Sequence, residues 1–135
     1  MNVLINAIDV LYEAQNQKNP LAKSSSTLAF LPKIRIRTEL KSSNCVCVRI
    51  ADNGTGMTEN VKKRLFEPFF TTKPVGKGTG LGLAIGYKIV DKHQGAIRCV
   101  SAPGEGTEFW IEVPVRQQSD HSVSKVLPAV GVKLN

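Results

Sequence analysis

The sequence predicts an α+β fold in which one β-sheet is covered by helices on one face. Two features lead to this class: apolar side chains recur with helical spacing in some segments, and alternate with polar side chains in others. The 135 residues are the length of one domain, and 41% hydrophobic against 21% charged residues supports a buried core. We therefore expect one two-layer α/β sandwich.

The first helix is predicted over residues 2–14, because apolar residues there fall on one side of a helix. These residues are Val3, Leu4, Ala7, Ile8 and Leu11. The polar side is formed by Asn2, Asn6, Asp9 and Glu13. A segment rich in Ser, Pro, Asn and Lys, from Gln15 to Lys33, follows and predicts an irregular loop.

Alternation of apolar and polar residues predicts two β-hairpins. The strands are predicted at residues 34–40, 45–50, 96–101 and 107–115. Residues 41–44 join the first pair, and a turn at residues 103–106, which contains proline and two glycines, joins the second pair. These four strands supply the sheet.

Two more helices are predicted between the hairpins. Thr58 is a suitable N-cap for a short helix that ends near Phe66, and helical spacing resumes from Leu81 to about His93. Gly95 stands where a left-handed residue would end this last helix. Residues 67–79, between the two helices, are rich in Pro, Lys, Gly and Thr and predict a flexible loop.

The predicted domain covers residues 1–117, and residues 118–135 are expected to form a loosely held tail. No apolar run approaches the roughly 20 residues that cross a bilayer, and the N-terminus lacks the pattern of a signal peptide, so a cytosolic protein is expected. The three cysteines lack the spacing of a disulfide framework or a zinc site. The net charge of +7 favours an anionic partner, such as a nucleotide, a nucleic acid or an acidic protein surface.

Asp52 is a candidate for ligand contact. Strand parity places it on the same face as Val48 and Ile50, toward the helices, where an unpaired carboxylate is costly. Gly54 and Gly56 follow it and allow backbone to approach a ligand closely. The functional interpretation is a buried acceptor for a ligand amino group, and the alternative is a strand-ending Asx-turn.

Thr107 is a second candidate on the same face. Parity along the last strand places its hydroxyl with Phe109 and Ile111 on the covered side. A carboxylate and a hydroxyl in one apolar pocket suit the polar edge of a planar base, although threonine is also an ordinary strand residue.

A glycine-rich run leads directly into the helix predicted from Leu81. Free N–H groups and the helix dipole at such a point attract phosphate, and a plain flexible linker is the alternative. The candidate residues are Gly78, Thr79, Gly80, Leu81 and Gly82. The run is not a P-loop, since glycine instead of Ser or Thr follows Lys77, and it is not a dinucleotide fingerprint, since no strand precedes it.

The first helix and the loop offer further candidates. Asn2 and Asn6 lie one helical turn apart, and their amide oxygens could complete a Mg²⁺ shell made mostly of water and phosphate. Lys73 and Lys77 could reach phosphates as point charges. The alternatives are a solvated helix face and solvated loop lysines.

Together these segments resemble the ATP-binding domain of sensor histidine kinases, which is shared with gyrase, mismatch-repair and chaperone ATPases. The N, G1, F and G2 boxes of that family are matched, in this order, by Asn2–Ala7, Asp52–Met57, Phe66–Thr72 and Gly78–Ala84. The resemblance covers almost all of residues 2–115, and the loop Phe69–Lys73 is most similar to kinases of the nitrogen-regulator type.

The resemblance implies a Bergerat-type sandwich with a mixed sheet, in a chain that begins within the N-box helix and is N-terminally truncated relative to the family. It implies that Asp52 accepts a hydrogen bond from the adenine amino group, beside Gly56 and a water held by Thr107. It further implies that Asn6 ligates Mg²⁺, with Asn2 near the phosphates. Residues 66–79 would form a lid that orders on ATP.

The family transfers the γ-phosphate of ATP to a histidine on a helical dimerisation domain, and then to an aspartate of a response regulator. Neither His93, at a helix end, nor His121, in the tail, resembles the phosphoacceptor, so we expect transfer only to another polypeptide and assign no catalytic residue. The alternative is a non-catalytic nucleotide-binding module or an inactive remnant. Nucleic-acid binding is disfavoured, because the basic residues form no patch with interleaved aromatics.

Overall fold

The computed structural model describes residues 1–16, 30–74 and 76–116. Its helices are α1 (Asn2–Asn16), α2 (Glu59–Arg64) and α3 (Gly82–Lys92). Its strands are β1 (Ile34–Ser42), β2 (Cys45–Asp52), β3 (Ala96–Ala102) and β4 (Gly106–Pro114). The α+β class is confirmed. Most of the predicted loop 15–33 and the predicted tail 118–135 lie outside the described residues.

The four strands form one sheet in the order β1-β2-β4-β3. All three pairings between these strands are antiparallel, so the described part of the chain does not contain the expected mixed sheet. The reason is the path between the hairpins. The chain crosses over from β2 through α2 and α3 to the far edge, which sets β3 parallel to β2, but β4 then returns between them and separates the two parallel strands.

The core lies between the helices and one face of the sheet. Its buried residues are Val3 of α1, Ile50 of β2, Leu65 after α2 and Phe109 of β4. The helical spacing of α1 is confirmed by its buried residues, which are Val3, Ala7 and Leu11. Ile8 was expected on the same side but is exposed, because it lies at the margin of the stripe that packs on the sheet.

Helix α2 begins as predicted, with the Thr58 side chain accepting a hydrogen bond from the N–H group of Val61. The end of α3 differs from the prediction, because the residue with positive φ is Gln94 (φ 56°) and not Gly95. A Cβ atom on Gly95 would lie 2.4 Å from the carbonyl oxygen of Glu112 in β4. The glycine is therefore needed for close contact with the sheet, and not for a left-handed backbone.

Within the described residues, none of the helices combines the length and the apolar composition that crossing a membrane requires.

Candidate functional site

One cleft brings most of the predicted site residues together. It has a volume of about 450 Å³ and opens between α1, the ends of β2 and β4, and the loop before α3. The predicted residues that line it are Asn2, Asn6, Asp52, Gly56, Lys73, Lys77, Gly78, Thr79, Gly80, Gly82 and Thr107. Gly54 and Leu81 do not line it.

Asp52 lies at the end of β2, directly opposite Thr107 of β4. Its Oδ1 atom accepts a hydrogen bond from the N–H group of Gly54 at 2.9 Å, and the N–H group of Thr107 also donates to the carboxylate. Burial raises the pKa of the Asp52 carboxyl above its ordinary value, and these two hydrogen bonds oppose the rise. The bond to Gly54 is an Asx-turn, so the alternative interpretation is correct about the turn, while the same side chain lines the cleft.

Two glycines fix the backbone around Asp52. Gly56 has a φ of 67°, and a Cβ atom there would lie 1.9 Å from the carbonyl oxygen of Ala102. Gly106 has a φ of 80°, and a Cβ atom there would lie 2.1 Å from the carbonyl oxygen of Asp52. Since neither position has room for a side chain, the loop after β2 is held tightly against the β3–β4 turn.

Gly54 was expected to let the backbone approach a ligand, but it packs against α1 instead. A Cβ atom on Gly54 would lie 2.5 Å from Cγ1 of Val10 and 2.9 Å from Oδ1 of Asp52. The absence of a side chain at this position allows α1 to pack against the loop and the Asp52 carboxylate to bind the Gly54 N–H group. It does not open the backbone to a ligand.

Ser101 of β3 was not predicted as a site residue. Its buried hydroxyl accepts a hydrogen bond from the Met57 N–H group at 2.9 Å and donates one to the Gly106 carbonyl at 2.8 Å. Its oxygen lies 3.0 Å from Oγ1 of Thr107. Because the single hydroxyl proton of Ser101 is donated to the Gly106 carbonyl, Thr107 must be the donor in the bond to Ser101. The lone pairs of the Thr107 oxygen then remain available to accept a hydrogen bond. Strand parity, which puts Ser101 on the face of Cys99, was the available signal.

Helix α3 begins at the cleft with free N–H groups. Its N-cap residue Leu81 makes no side-chain cap, and Gly82 and Leu83 of the first turn line the cleft. The first N–H groups of a helix have no acceptor within it, so this terminus can receive an anion. The carbonyl of Gly82 accepts a hydrogen bond from Nδ2 of Asn2 at 2.7 Å, which ties α1 to this turn. Thr79 Oγ1 accepts from the Leu81 N–H group at 3.3 Å.

The segment expected to form the lid, residues 66–79, is held at its base. The Phe69 N–H group donates to the Gly80 carbonyl at 2.9 Å, and both residues have positive φ, 65° for Phe69 and 64° for Gly80. A Cβ atom on Gly80 would lie 2.4 Å from the carbonyl carbon of Phe69. Gly78 is also close-packed, since a Cβ atom there would lie 2.7 Å from Oγ1 of Thr71.

Lys73 connects the lid to α1. Its Nζ atom lies 2.5 Å from Oδ2 of Asp9 and 3.4 Å from Oδ1 of Asn6. Asp9 was seen in the sequence only as part of the polar side of the first helix, and its position three residues after Asn6 was the signal that it shares this site. Lys77 lines the cleft from the other part of the lid.

A metal in this cleft would depend on ligands from outside the protein. No group of three or more His, Cys, Asp or Glu side chains that could hold a metal occurs in the described ranges. Asn6 and Asp9 offer two oxygen atoms, which is the ligand type that Mg²⁺ prefers, and phosphate and water would complete the shell. The residues present therefore fit Mg²⁺ bound together with a polyphosphate.

Comparison with known proteins gives consistent matches. Residues 1–117 match the family described as histidine kinase-, DNA gyrase B-, and HSP90-like ATPase. Sporulation kinase E of Bacillus subtilis (strain 168) is 39% identical over 120 residues, which are 89% of this chain and 14% of that protein. The signal transduction histidine-protein kinase AtoS of Escherichia coli (strain K12) is 40% identical over 105 residues, which are 78% of this chain and 17% of that protein.

A solved structure, that of the mycobacterial sensor histidine kinase MprB, matches with a TM-score of 0.62 and 29% identity over 87% of this chain and 68% of that chain. The chain spans only 14% and 17% of the length of the two curated relatives above. These matches confirm the resemblance to sensor histidine kinases that the four boxes indicated, and the nitrogen-regulator type stays a prediction.

Proposed function

The chain belongs to the family of histidine kinase-, DNA gyrase B- and HSP90-like ATPases, and we therefore propose that its cleft binds ATP with Mg²⁺ as the phosphoryl-donor site of a sensor histidine kinase. The observation that carries this proposal is the arrangement of the cleft. A buried carboxylate, Asp52, lies at one end, and the uncapped N-terminus of α3 lies at the other.

The adenine end of the proposed site is built from Asp52, Gly56 and Thr107. Asp52 accepts a hydrogen bond from the adenine amino group. None of the ion pairs between described residues involves Asp52, so its carboxylate is not already paired with a cationic side chain. Thr107, oriented by Ser101, offers its oxygen to the base through a water. Gly56 lines the same end of the cleft, and its backbone packs directly against Ala102, with no room for a side chain.

The phosphate end is built from the start of α3 and the lid. The N–H groups of Gly82 and Leu83 receive phosphate oxygens, and Gly78, Thr79, Gly80 and Leu81 hold the backbone that leads into them. Lys73 and Lys77 supply positive charge from the lid. Mg²⁺, held by Asn6 with Asn2 nearby, would neutralise charge on the phosphates during transfer.

Phosphoryl transfer requires an acceptor that can reach the γ-phosphate in line with the bond that breaks. His93 is unsuitable, because it lies at the opposite end of α3, roughly 16 Å of helix away from the phosphate end, with its Nδ1 atom 2.7 Å from the Ile89 carbonyl oxygen. We propose that the acceptor histidine is on a separate dimerisation domain, that a response regulator aspartate receives the phosphoryl group next, and that this chain does not phosphorylate itself.

The base-binding role is tested with Asp52→Ala. Removing the carboxylate leaves the adenine amino group unpaired, so ATP affinity measured by calorimetry should fall by about 1 to 3 kcal/mol, or about 5-fold to 150-fold. Asp91→Ala, which removes an exposed carboxylate far along α3, is the matched control and should leave the affinity unchanged. Circular dichroism of both variants checks that they fold. Equal affinity of Asp52→Ala and wild type would refute the assigned role.

The transfer step is tested with labelled ATP and Mg²⁺, with and without a histidine-bearing dimerisation domain. Acid-labile label should appear on the added domain only. Label on this chain alone would contradict the proposal of transfer to another polypeptide. ATP binding without transfer to any added domain would support a nucleotide-binding module instead.

A further inference from the structure

We propose that Asp9 belongs to the nucleotide site, where with Asn6 it forms a divalent-cation position that the Lys73 ammonium fills until a metal nucleotide binds. This inference rests on the proposed ATP site and adds to it a residue that makes nucleotide binding depend on the metal.

Two side-chain oxygens of α1, one from Asn6 and one from Asp9, contact the same Lys73 ammonium nitrogen. Asn6 and Asp9 are three residues apart on α1, a spacing that puts their side chains on the same face of the helix. Oδ2 of Asp9 and Oδ1 of Asn6 lie 2.5 Å and 3.4 Å from the same Lys73 Nζ atom. A carboxylate and an amide oxygen are also ligand types of a small hard cation, whose remaining ligands would be water and phosphate.

The ion pair of Lys73 and Asp9 is partly shielded from solvent, which strengthens its electrostatic effect on a neighbouring charge. The Lys73 side chain is 21% exposed and the Asp9 side chain 42% exposed. The other charged groups lining this part of the cleft are Glu13, further along α1, and Lys77, from the lid. A triphosphate entering without a metal would lie beside the Asp9 carboxylate and would have to remove Lys73 from it before using that charge.

A divalent cation removes this conflict. Bound between Asn6 and Asp9, it balances the carboxylate and retains positive charge for the phosphates, while Lys73 is released to interact with the phosphates as well. Asp9 therefore opposes metal-free nucleotide and favours the metal complex. Loss of its charge should weaken the coupling between metal and nucleotide, and not nucleotide binding as such.

The test measures ATP affinity in Mg²⁺ and in EDTA for the wild-type chain and for Asp9→Asn. The ratio of the two dissociation constants, EDTA over Mg²⁺, should be about tenfold smaller in the variant, within the range usual for coupled sites, and the metal-free affinity should rise. Asp91→Asn removes the same charge from an exposed position of α3 that does not line the cleft, and should keep the wild-type ratio within about twofold. An equal fall of this ratio in both variants would show a general effect of removing negative charge and would overturn the proposal.

A second measurement separates a metal ligand from a residue that only pairs with Lys73. Water-proton relaxation by Mn²⁺ reports the affinity of the metal for the complex of protein and ATP. Asp9→Asn should lower this affinity severalfold. An unchanged Mn²⁺ affinity would overturn the proposal while leaving the ATP site intact, whereas failure of the wild-type chain to bind ATP would remove both this inference and the proposed function.

Discussion

At Asp52 the fold holds a carboxylate whose charged form is disfavoured by burial, and the raised pKa of this group sets the direction of a pH effect. The folded state binds the proton more tightly than the unfolded state. The contribution of Asp52 to the free energy of unfolding therefore falls as pH rises from the ordinary carboxyl pKa to the raised one, and stays at the lower value above it.

Asp52→Asn should remove this pH effect. The amide keeps an oxygen for the Gly54 N–H group and has no charge to bury, so the midpoint of thermal unfolding at neutral pH should be equal to that of wild type or higher by a few degrees. Thermal melts by circular dichroism, from pH 4 upward, check this. A variant clearly less stable than wild type at neutral pH would show that the charge stabilises the fold.

Single residues also show where sequence reasoning ended. Asp52 and Thr107 could be placed in one cleft because strand parity is a local property. Local patterns give the face on which Ser101 and Asp9 lie, but not the contacts through which they act. Their partners, Met57 and Lys73, are 44 and 64 residues away in the sequence. Prediction was good for residues whose face is fixed by their own element, and poor for residues whose role depends on a distant partner.

At the scale of elements, the base of the lid depends on one glycine. Gly80→Ala forces a side chain into a positive φ and within 2.4 Å of Phe69 backbone, so the free energy of unfolding in urea should fall by about 1 to 3 kcal/mol. Gly86→Ala in the middle of α3 meets nothing within 4 Å and should raise stability by about 0.5 to 1 kcal/mol. Equal effects of the two substitutions would show that the lid base is not strained.

The elements themselves were well predicted, since their periodicity is written in the chain, but one helix end was not. The choice of Gln94 over Gly95 as the left-handed residue is made by the Glu112 carbonyl of β4, against which Gly95 packs. Likewise, the glycines after β2 were correctly identified as special, but only the structure separates Gly56, which meets the β3–β4 turn, from Gly54, which meets α1.

At the scale of the whole molecule, the helices among the described residues cover the centre of the sheet and do not extend over its β1 edge. Ile36 and Leu40 of β1 are 55% and 69% exposed, although they lie on the helix-covered face. The sequence could not show that the sheet is antiparallel and not mixed. Strand order depends on where the long crossover places the second hairpin, and no local pattern encodes that position.

This distribution of burial predicts unequal costs for two truncations. Phe109→Ala removes a side chain from the buried core and should lower the free energy of unfolding by about 3 to 5 kcal/mol. Leu40→Ala should change it by about 0.5 kcal/mol or less. Urea denaturation measures both. A loss above about 2 kcal/mol for Leu40→Ala would mean that another part of the chain covers β1.

The hydrogen bond between Phe69 and Gly80 joins the two ends of the lid segment beside the proposed phosphate site. Residues inserted or deleted between these ends would not shift α3 or the strands, because the junction is already made. Closing a longer loop is also cheap, at about 0.6 kcal/mol for each doubling of its length. The stability of the domain therefore depends little on the length of the lid. Variants with lids of different lengths would enclose a triphosphate differently while keeping the same helices and sheet.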